Sequence, residues 1–188
     1  MAVPHSVASR PRGDIDRNPH AVLVSRPMTY ASELVTIRPA NRHDMAAVAV
    51  IAGEFHAFLT SIDASDPTFD IESAALKLVR SGFGSRPLFS SLIAETDCEP
   101  VGYAIYNIGF WADSLQGMVL LTDLFVREAW RGRGVGGQLM DQLAVIGKDA
   151  GCEIVMWTVW SKNEAARRFY ERLGAVPIDD EQLMKLSI

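Results

Sequence analysis

A glycine-rich loop between an apolar segment and an amphipathic segment constrains the fold of this chain more than any other feature. Residues 131–143 read RGRGVGGQLMDQL and follow the apolar run MVLLTDLFV at 118–126. Such a run is typical of a strand that is buried on both faces. After the loop, Val135, Leu139 and Leu143 recur at the spacing of an α-helix. The sequence therefore predicts a strand, a loop and a helix in succession, with glycines where the helix begins.

The loop has the properties of a phosphate-binding site. A helix N-terminus offers free N–H groups and the positive end of the helix dipole, and Arg131 and Arg133 add charge and forked donors. Two patterns overlap here. Residues 132–137 satisfy G-x-G-x-x-G, which binds dinucleotides, and residues 131–136 satisfy R-x-x-G-x-G, which holds the pyrophosphate of acetyl-CoA. A third interpretation is a turn that only reverses the chain.

The residues around the loop disfavour a dinucleotide. The segment REAWR separates the glycines from the strand that ends at Val126, whereas the dinucleotide fingerprint follows its strand directly. That fingerprint also expects an acidic residue at the end of the next strand, but EIVMWTV at 153–159 has its only acid at the start. Because G-K-[ST] is missing as well, a P-loop is excluded. The sequence favours the acetyl-CoA pattern.

Composition limits the class of protein further. A chain of 188 residues with 48% hydrophobic residues is long enough for one domain with a substantial core. The net charge of −5 argues against nucleic-acid binding, and we expect no membrane span, because no apolar run approaches about 18 residues. Cys98 and Cys152 are too few for a metal cluster or a disulfide framework, so we expect no metal and a cytoplasmic location.

The order of predicted elements indicates an α/β or α+β fold. Residues 1–32 are rich in Pro, Arg and Asp and predict a disordered N-terminal extension, followed by one domain over 33–188. Strands are predicted over 33–39, 88–95, 100–108, 118–126, 153–159 and about 182–187. Helices are predicted after an N-cap at Asn41, around 71–78, after the glycine-rich loop and over 163–174. This order predicts one sheet covered by helices.

Two motifs resemble the GNAT acetyltransferases. LTDLFVREAWRGRGVGGQLM at 121–140 and WSKNEAARRFYERLGA at 160–175 are similar to the two central motifs of that superfamily. IRPA at 37–40 and PVGYAIY at 100–106 are similar to its diamine (spermidine/spermine) N-acetyltransferase branch. The resemblance covers about 35–187. It implies a GNAT fold with a mixed, mostly antiparallel, twisted sheet and helices on both faces, acetyl-CoA as co-substrate, and a homodimer.

The resemblance also implies how the cofactor is held. The backbone of Leu124, Phe125 and Val126 would hold the thioester carbonyl and the pantetheine arm, although these residues also suit an ordinary core strand. The pyrophosphate would lie on Arg131, Gly132, Arg133, Gly134, Val135, Gly136 and Gly137. Asn163 and Ala166 would contact CoA from the following helix, and Asn163 has a second possible role as a helix N-cap.

For the chemistry, the resemblance implies acetyl transfer to the primary amine of a small molecule, such as a diamine, a polyamine or a lysine-like amino acid. Tyr170 matches the general acid that protonates the departing thiolate, and its alternative role is packing. Asp123 is a candidate to hold or deprotonate the amine, with a buried structural carboxylate as the alternative. Thr122 stands where the diamine branch has Glu, which removes one carboxylate from the expected substrate site.

Other functional assignments stay open. Glu54, Asp63, Asp66 and Asp70 either compensate for that lost carboxylate or form a solvated acidic segment, and His56 is either a base or a half-buried packing residue. Two alternative functions are acetylation of protein amines and a non-catalytic domain that senses acetyl-CoA.

Overall fold

The computed structural model describes residues 35–62, 68–97, 99–178 and 183–187, and a five-stranded sheet organises them. The strands are β1 (Thr36–Pro39), β2 (Ser90–Thr96), β3 (Glu99–Trp111), β4 (Gln116–Val126) and β5 (Cys152–Trp157). The helices are α1 (Met45–Ile62), α2 (Ile71–Gly82), α3 (Val135–Asp149) and α4 (Glu164–Arg172). The strands lie in the order β1-β2-β3-β4-β5; only β4 and β5 pair in parallel.

Helices pack on both faces of the sheet, as predicted. On one face, Leu139 and Leu143 of α3 pack among a cluster of buried strand residues that includes Leu92, Ala104 and Val119. On the other face, α1 contributes its buried residues Met45, Val48 and Ile51 to a second cluster, which contains Ile93, Tyr103 and Phe125 from the strands. Side chains alternate between the two faces along a strand, so the inner strands β2, β3 and β4 each contribute residues to both clusters.

The prediction that β4 is buried on both faces is wrong for its first half. Val119 and Leu121 are buried against α3, but Met118 and Leu120, which point to the opposite face, are only half-buried. On that face, α1 packs over the far end of the strand at Phe125. An unbroken apolar run cannot reveal this difference, since half-buried and buried positions both accept apolar residues.

The N-cap of the first helical segment is confirmed. The Asn41 side chain accepts a hydrogen bond from the His43 N–H, and the Asp44 side chain accepts one from the Asn41 N–H. Arg38 on β1 donates to both Asp44 and Glu95 at 2.7–2.9 Å. This partly buried cluster ties β1 to β2 and to the start of the helix.

The predicted C-terminal strand is wrong for the described residues 183–187, which belong to no strand. Leu183, Met184 and Leu186 are 85%, 84% and 88% exposed. An apolar pattern gives a strand only where a sheet edge is available for pairing, and here the segment is not paired.

Some predictions cannot be compared with the structure. The predicted N-terminal extension, Asp63, Asp66 and Cys98 lie outside the described residues.

One helical segment contradicts the expectation that nothing in the chain has the length and hydropathy of a membrane span. Residues Arg42–Ile62 are long and apolar enough by length and composition alone. Core helices share these properties, and this helix packs against the sheet through Met45, Val48 and Ile51.

Gly147 on α3 generates a stability prediction. A Cβ at this position would lie 2.8 Å from Cγ2 of the fully buried Val119. Gly→Ala inside a helix normally stabilises by about 1 kcal/mol, but overpacking costs about 1–3 kcal/mol. We expect Gly147→Ala to lower the free energy of unfolding in a urea titration. In the Val119→Ala background the same change should be neutral or stabilising; a stabilised single variant would contradict the packing described.

Candidate active site

The site begins where β4 separates from β5. The parallel pairing ends at Leu121 opposite Trp157, so the last four residues of β4, 123–126, pair with β3 alone. A register shift at the same point leaves Thr122 as an extra, bulged residue, because Ile105 pairs with Asp123 and Tyr106 with Leu121. The β5-facing backbone edge of residues 124–126 therefore has no strand partner.

The glycine-rich loop forms the N-terminus of α3. Gly132 and Gly134 have φ values of +73° and +85°, a left-handed conformation that favours glycine. Gly134 is the N-cap, and its carbonyl accepts the first helical hydrogen bond from the Gln138 N–H. The N–H groups of residues 135–137 have no acceptor within the helix. These groups can bind an anion.

Helix α4 supplies the opposite wall of the site. Asn163 is its N-cap, and the Asn163 Oδ1 accepts from the Ala166 N–H at 3.1 Å. The capping role of Asn163 is therefore confirmed, and the Ala166 N–H is already occupied. The Phe169 ring would lie 3.2 Å from a Cβ at Gly136, so α4 packs tightly against the start of α3.

Together these elements enclose a cavity of about 650 Å³. Every predicted cofactor-binding residue except Arg133 lines it: Leu124, Phe125, Val126, Arg131, Gly132, Gly134, Val135, Gly136, Gly137, Asn163 and Ala166. The Arg133 guanidinium instead lies over the Trp130 ring, 4.8 Å from its centroid. Trp130 itself lines the cavity, so Arg133 packs on the back of a lining residue. A contact of Arg133 with the pyrophosphate stays a prediction.

Arg131 lies in the cavity wall. Its Nε donates to the Val126 carbonyl at 3.0 Å, and its guanidinium lies 4.8 Å from the Phe58 ring centroid and 4.9 Å from that of Phe125. One carbonyl on the open edge of β4 is therefore already paired with a cation of the loop.

Sequence reasoning missed part of the lining: Phe55, Phe58, Trp130, Ala165, Phe169, Arg172 and Leu173. Phe55 and Phe58 come from α1, far away in sequence, and their spacing is the same as that of core residues. The position of Arg172 in the cavity wall is predictable from the helical spacing. Ala165, Phe169 and Arg172 recur at i, i+4 and i+7, which places a basic side chain on the helical stripe that faces the cavity.

Tyr170 lies beside this cavity and packs on Trp157. The two ring centroids are 4.6 Å apart, and the Phe169 ring is 4.9 Å from Tyr170. Burial, and then the nearby Asp123 carboxylate, raise the pKa of Tyr170 to about 12. The packing and catalytic interpretations of Tyr170 are thus compatible, and Tyr170 and Asp123 are close enough to interact.

Asp123 is held inside the site by β3. The Tyr103 hydroxyl, on a fully buried side chain, donates to Asp123 Oδ2 at 2.6 Å. Burial raises the pKa of Asp123 to about 6, and hydrogen bonds from Tyr103 and the Leu124 N–H oppose that rise. Thr122 is exposed at the bulge and donates to the Ile105 carbonyl at 3.1 Å. Of the predicted substrate pair, Thr122 is exposed, and Asp123 is the half-buried carboxylate.

The other acidic candidates make structural contacts. Glu54 pairs with Arg127 at 3.0 Å, and Asp70 caps α2 by accepting from Glu72 N–H and Ser73 N–H. The His56 ring packs against Phe69 at 5.4 Å. Within the described part of the chain, no three His, Cys, Asp or Glu side chains are grouped as metal ligands.

Comparison with known proteins identifies the family. The Acetyltransferase (GNAT) family profile matches residues 56–175, which is more than half of the chain. The chain therefore belongs to the GNAT acetyltransferase family, and the predicted fold is confirmed.

Relatives by sequence agree with the branch resemblance. Spermidine/spermine N(1)-acetyltransferase-like protein 1 of Homo sapiens is 32% identical over 154 residues, which are 78% of this chain and 21% of that protein. Thialysine N-epsilon-acetyltransferase of Bos taurus is 28% identical over 110 residues, which are 54% of this chain and 64% of that protein. The chain thus matches about a fifth of the human relative and just under two thirds of the bovine one.

Solved structures share the fold. An integron cassette protein from the mobile metagenome of V. cholerae has a TM-score of 0.70 at 28% identity, covering 81% of this chain and 92% of that one. An aminoglycoside N-acetyltransferase in complex with CoA has a TM-score of 0.63 at 16% identity, covering 82% and 95%. At that identity, the second similarity concerns the fold alone.

The raised pKa of Asp123 predicts a pH-dependent stability change. The ionised carboxylate is disfavoured in the folded chain above pH about 6, and this cost disappears below the unfolded value near 3.9. We expect Asp123→Asn to raise the free energy of unfolding by about 3 kcal/mol at pH 7.5 and by about 0.5 kcal/mol or less at pH 4. Urea titrations at both pH values measure this difference.

The matched control is Asp113→Asn, which removes an exposed carboxylate from the β3–β4 turn. Its effect on unfolding should be small at both pH values. An Asp123→Asn variant that is less stable than the parent at pH 7.5 would show that the buried charge is stabilising instead.

Proposed function

We propose that the chain is an acetyl-CoA-dependent N-acetyltransferase that acts on the primary amine of a small molecule. One observation carries the proposal: a cavity of about 650 Å³ combines a strand edge that lacks a strand partner with an anion-binding helix N-terminus. Asp123 and Tyr170, which influence each other electrostatically, do not line this cavity but are the chain neighbours of its lining residues Leu124 and Phe169. This arrangement supplies, in one place, groups for the pantetheine arm, for a pyrophosphate, for an amine and for a leaving thiolate.

The residues of the cavity fit acetyl-CoA. The edge of residues 124–126 has no strand partner among the described residues, and its groups that do not bond Arg131 or Asp123 can exchange hydrogen bonds with the amide groups of a pantetheine arm, as an added strand would. The free N–H groups of residues 135–137 suit the pyrophosphate. At Gly132 a Cβ would meet nothing within 4 Å, so there is open space for a ligand beside the loop. Arg172, which also lines the cavity, adds positive charge to its wall.

The reaction needs an uncharged amine, whereas an alkylammonium with a pKa near 10.4 is mostly protonated at pH 7. In this proposal Asp123 binds the ammonium and accepts its proton. The nitrogen lone pair then forms the C–N bond, the C–S bond breaks with its electron pair on sulfur, and Tyr170 donates a hydrogen bond to that sulfur. The extra proton of the new amide nitrogen passes to the sulfur, and Asp123 releases the proton it accepted, so the net products are the acetamide, CoA thiol and one proton.

The pKa of Tyr170 decides how it assists the thiolate. With a pKa of about 12, complete proton transfer to a thiolate of pKa near 8.5 is uphill by about 5 kcal/mol. Tyr170 therefore acts mainly by a hydrogen bond that strengthens as charge develops on sulfur.

The acceptor class is a small amine. Relatives are named for spermidine/spermine and for thialysine, and both are primary amines. Since Thr122 leaves one buried carboxylate, Asp123, beside the bulge, the site suits an acceptor with one ammonium close to the reacting carbon. This favours a lysine-like amino acid or a short diamine over a long polyamine.

The deciding experiment measures CoA thiol release from acetyl-CoA with putrescine, spermidine, spermine, lysine, thialysine, an aminoglycoside and a lysine-bearing peptide. Turnover on a small amine supports the proposal. Turnover on the peptide alone favours protein acetylation. Saturable acetyl-CoA binding without turnover favours the sensor alternative. The homodimer and the cytoplasmic location stay predictions.

Tyr170→Phe tests the leaving-group role. We expect kcat to fall about 100-fold or more, in line with the loss of a positioned acid, while the Kd of acetyl-CoA changes less than two-fold. Steady-state kinetics and calorimetric titration measure the two quantities. The ring stacking on Trp157 is retained by phenylalanine, so an unchanged kcat would show that Tyr170 only packs.

A further inference from the structure

Tyr103 is a buried titratable residue that the proposed function does not yet use. Its side chain is fully buried among α1 residues, and its hydroxyl donates to Asp123 Oδ2 at 2.6 Å. We propose that Tyr103 is a positioning residue for acetyl transfer, which holds one oxygen of the Asp123 carboxylate and leaves the other available to the acceptor amine. This inference rests on the proposed role of Asp123.

The geometry gives Asp123 little freedom. Its carboxylate accepts from the Tyr103 hydroxyl and from the Leu124 N–H. Tyr103 pairs across the strands with Phe125, and Asp123 pairs with Ile105, so the two residues are diagonal neighbours on one face of the sheet. A carboxylate held by two donors keeps its orientation when a substrate enters, and this lowers the cost of forming the reactive arrangement.

Tyr103 remains a hydrogen-bond donor throughout the working pH range. Burial, and then the Asp123 charge, raise the pKa of Tyr103 well above its usual value. The hydroxyl therefore keeps its proton, so the bond always favours the ionised form of Asp123. Without the bond, only the Leu124 N–H opposes the effect of burial on the carboxylate, and the pKa of Asp123 should rise above its value of about 6.

One further titratable group, Tyr170 on α4, interacts with Asp123. The other charged groups near Tyr103 and Asp123 contact different partners. On α1, Glu54 pairs with Arg127 and His56 packs on Phe69. Arg131 in the loop lies over aromatic rings. A change in the titration of Asp123 on removal of the Tyr103 hydroxyl is thus assigned to the lost hydrogen bond.

The test compares Tyr103→Phe with the parent enzyme in kcat/KM against pH, with the same amine for both. If the pKa of Asp123 rises by about one unit, the variant loses about five-fold more activity at pH 6 than at pH 8.5. The titration of the amine itself is common to both enzymes and cancels in the ratio.

Tyr106→Phe is the matched control. Tyr106 lies on the same strand and is also buried, but it packs in the α3-face cluster and its hydroxyl bonds Ser90. The ratio of kcat/KM of Tyr106→Phe to that of the parent should not vary with pH. A merely structural role for Tyr103 would lower activity equally at all pH values, and that result would overturn the inference.

A second readout does not need turnover. In protein labelled with ¹³C-aspartate, the Asp123 carboxyl signal, assigned with Asp123→Asn, should titrate at higher pH in Tyr103→Phe than in the parent. An unchanged titration overturns the inference even if the enzyme is active. A parent enzyme that acetylates none of the amines overturns the proposed function instead, while the carboxyl titration still decides whether Tyr103 controls Asp123.

Discussion

The loss of pairing between β4 and β5 after Leu121 is the constraint on which the rest of the site depends. As far as Leu121 the two strands share hydrogen bonds and one packed face, and beyond it β4 follows β3 alone. The bulge at Thr122 occurs at the same point, where it shifts the register and changes the local direction of the strand. An open backbone edge, a loop and a helix N-terminus then follow within a few residues.

Asp123 shows how function and stability diverge in this fold. An ionised carboxylate next to a packed core raises the energy of the folded chain at neutral pH, and its two hydrogen-bond donors compensate only in part. Such a group is easily explained if it binds or deprotonates a substrate. The Asp123 charge also raises the pKa of Tyr170, so the group proposed to bind the amine and the group proposed to assist the thiolate influence each other.

The glycine-rich loop shows which features of the site a local sequence pattern can predict and which it cannot. Glycine and arginine spacing identified residues 131–137 as a wall of the cavity, because a helix start and left-handed glycines are local properties. The same spacing does not show that the Arg133 guanidinium lies over the Trp130 ring. The strand predicted over about 182–187 was wrong for its described residues 183–187, because alternation is a local property but strand pairing needs an available sheet edge.

The sequence by itself determined the order of the elements from β1 to α4, the helix caps at Asn41 and Asn163, and the loop that begins α3. Each of these depends on residues a few positions apart, so the pattern contains the cause. Only the tertiary structure decided that Phe55 and Phe58 close the cavity and that Tyr103 bonds Asp123. Those contacts join residues from different elements, and their distances depend on strand register and helix packing, which no local pattern records.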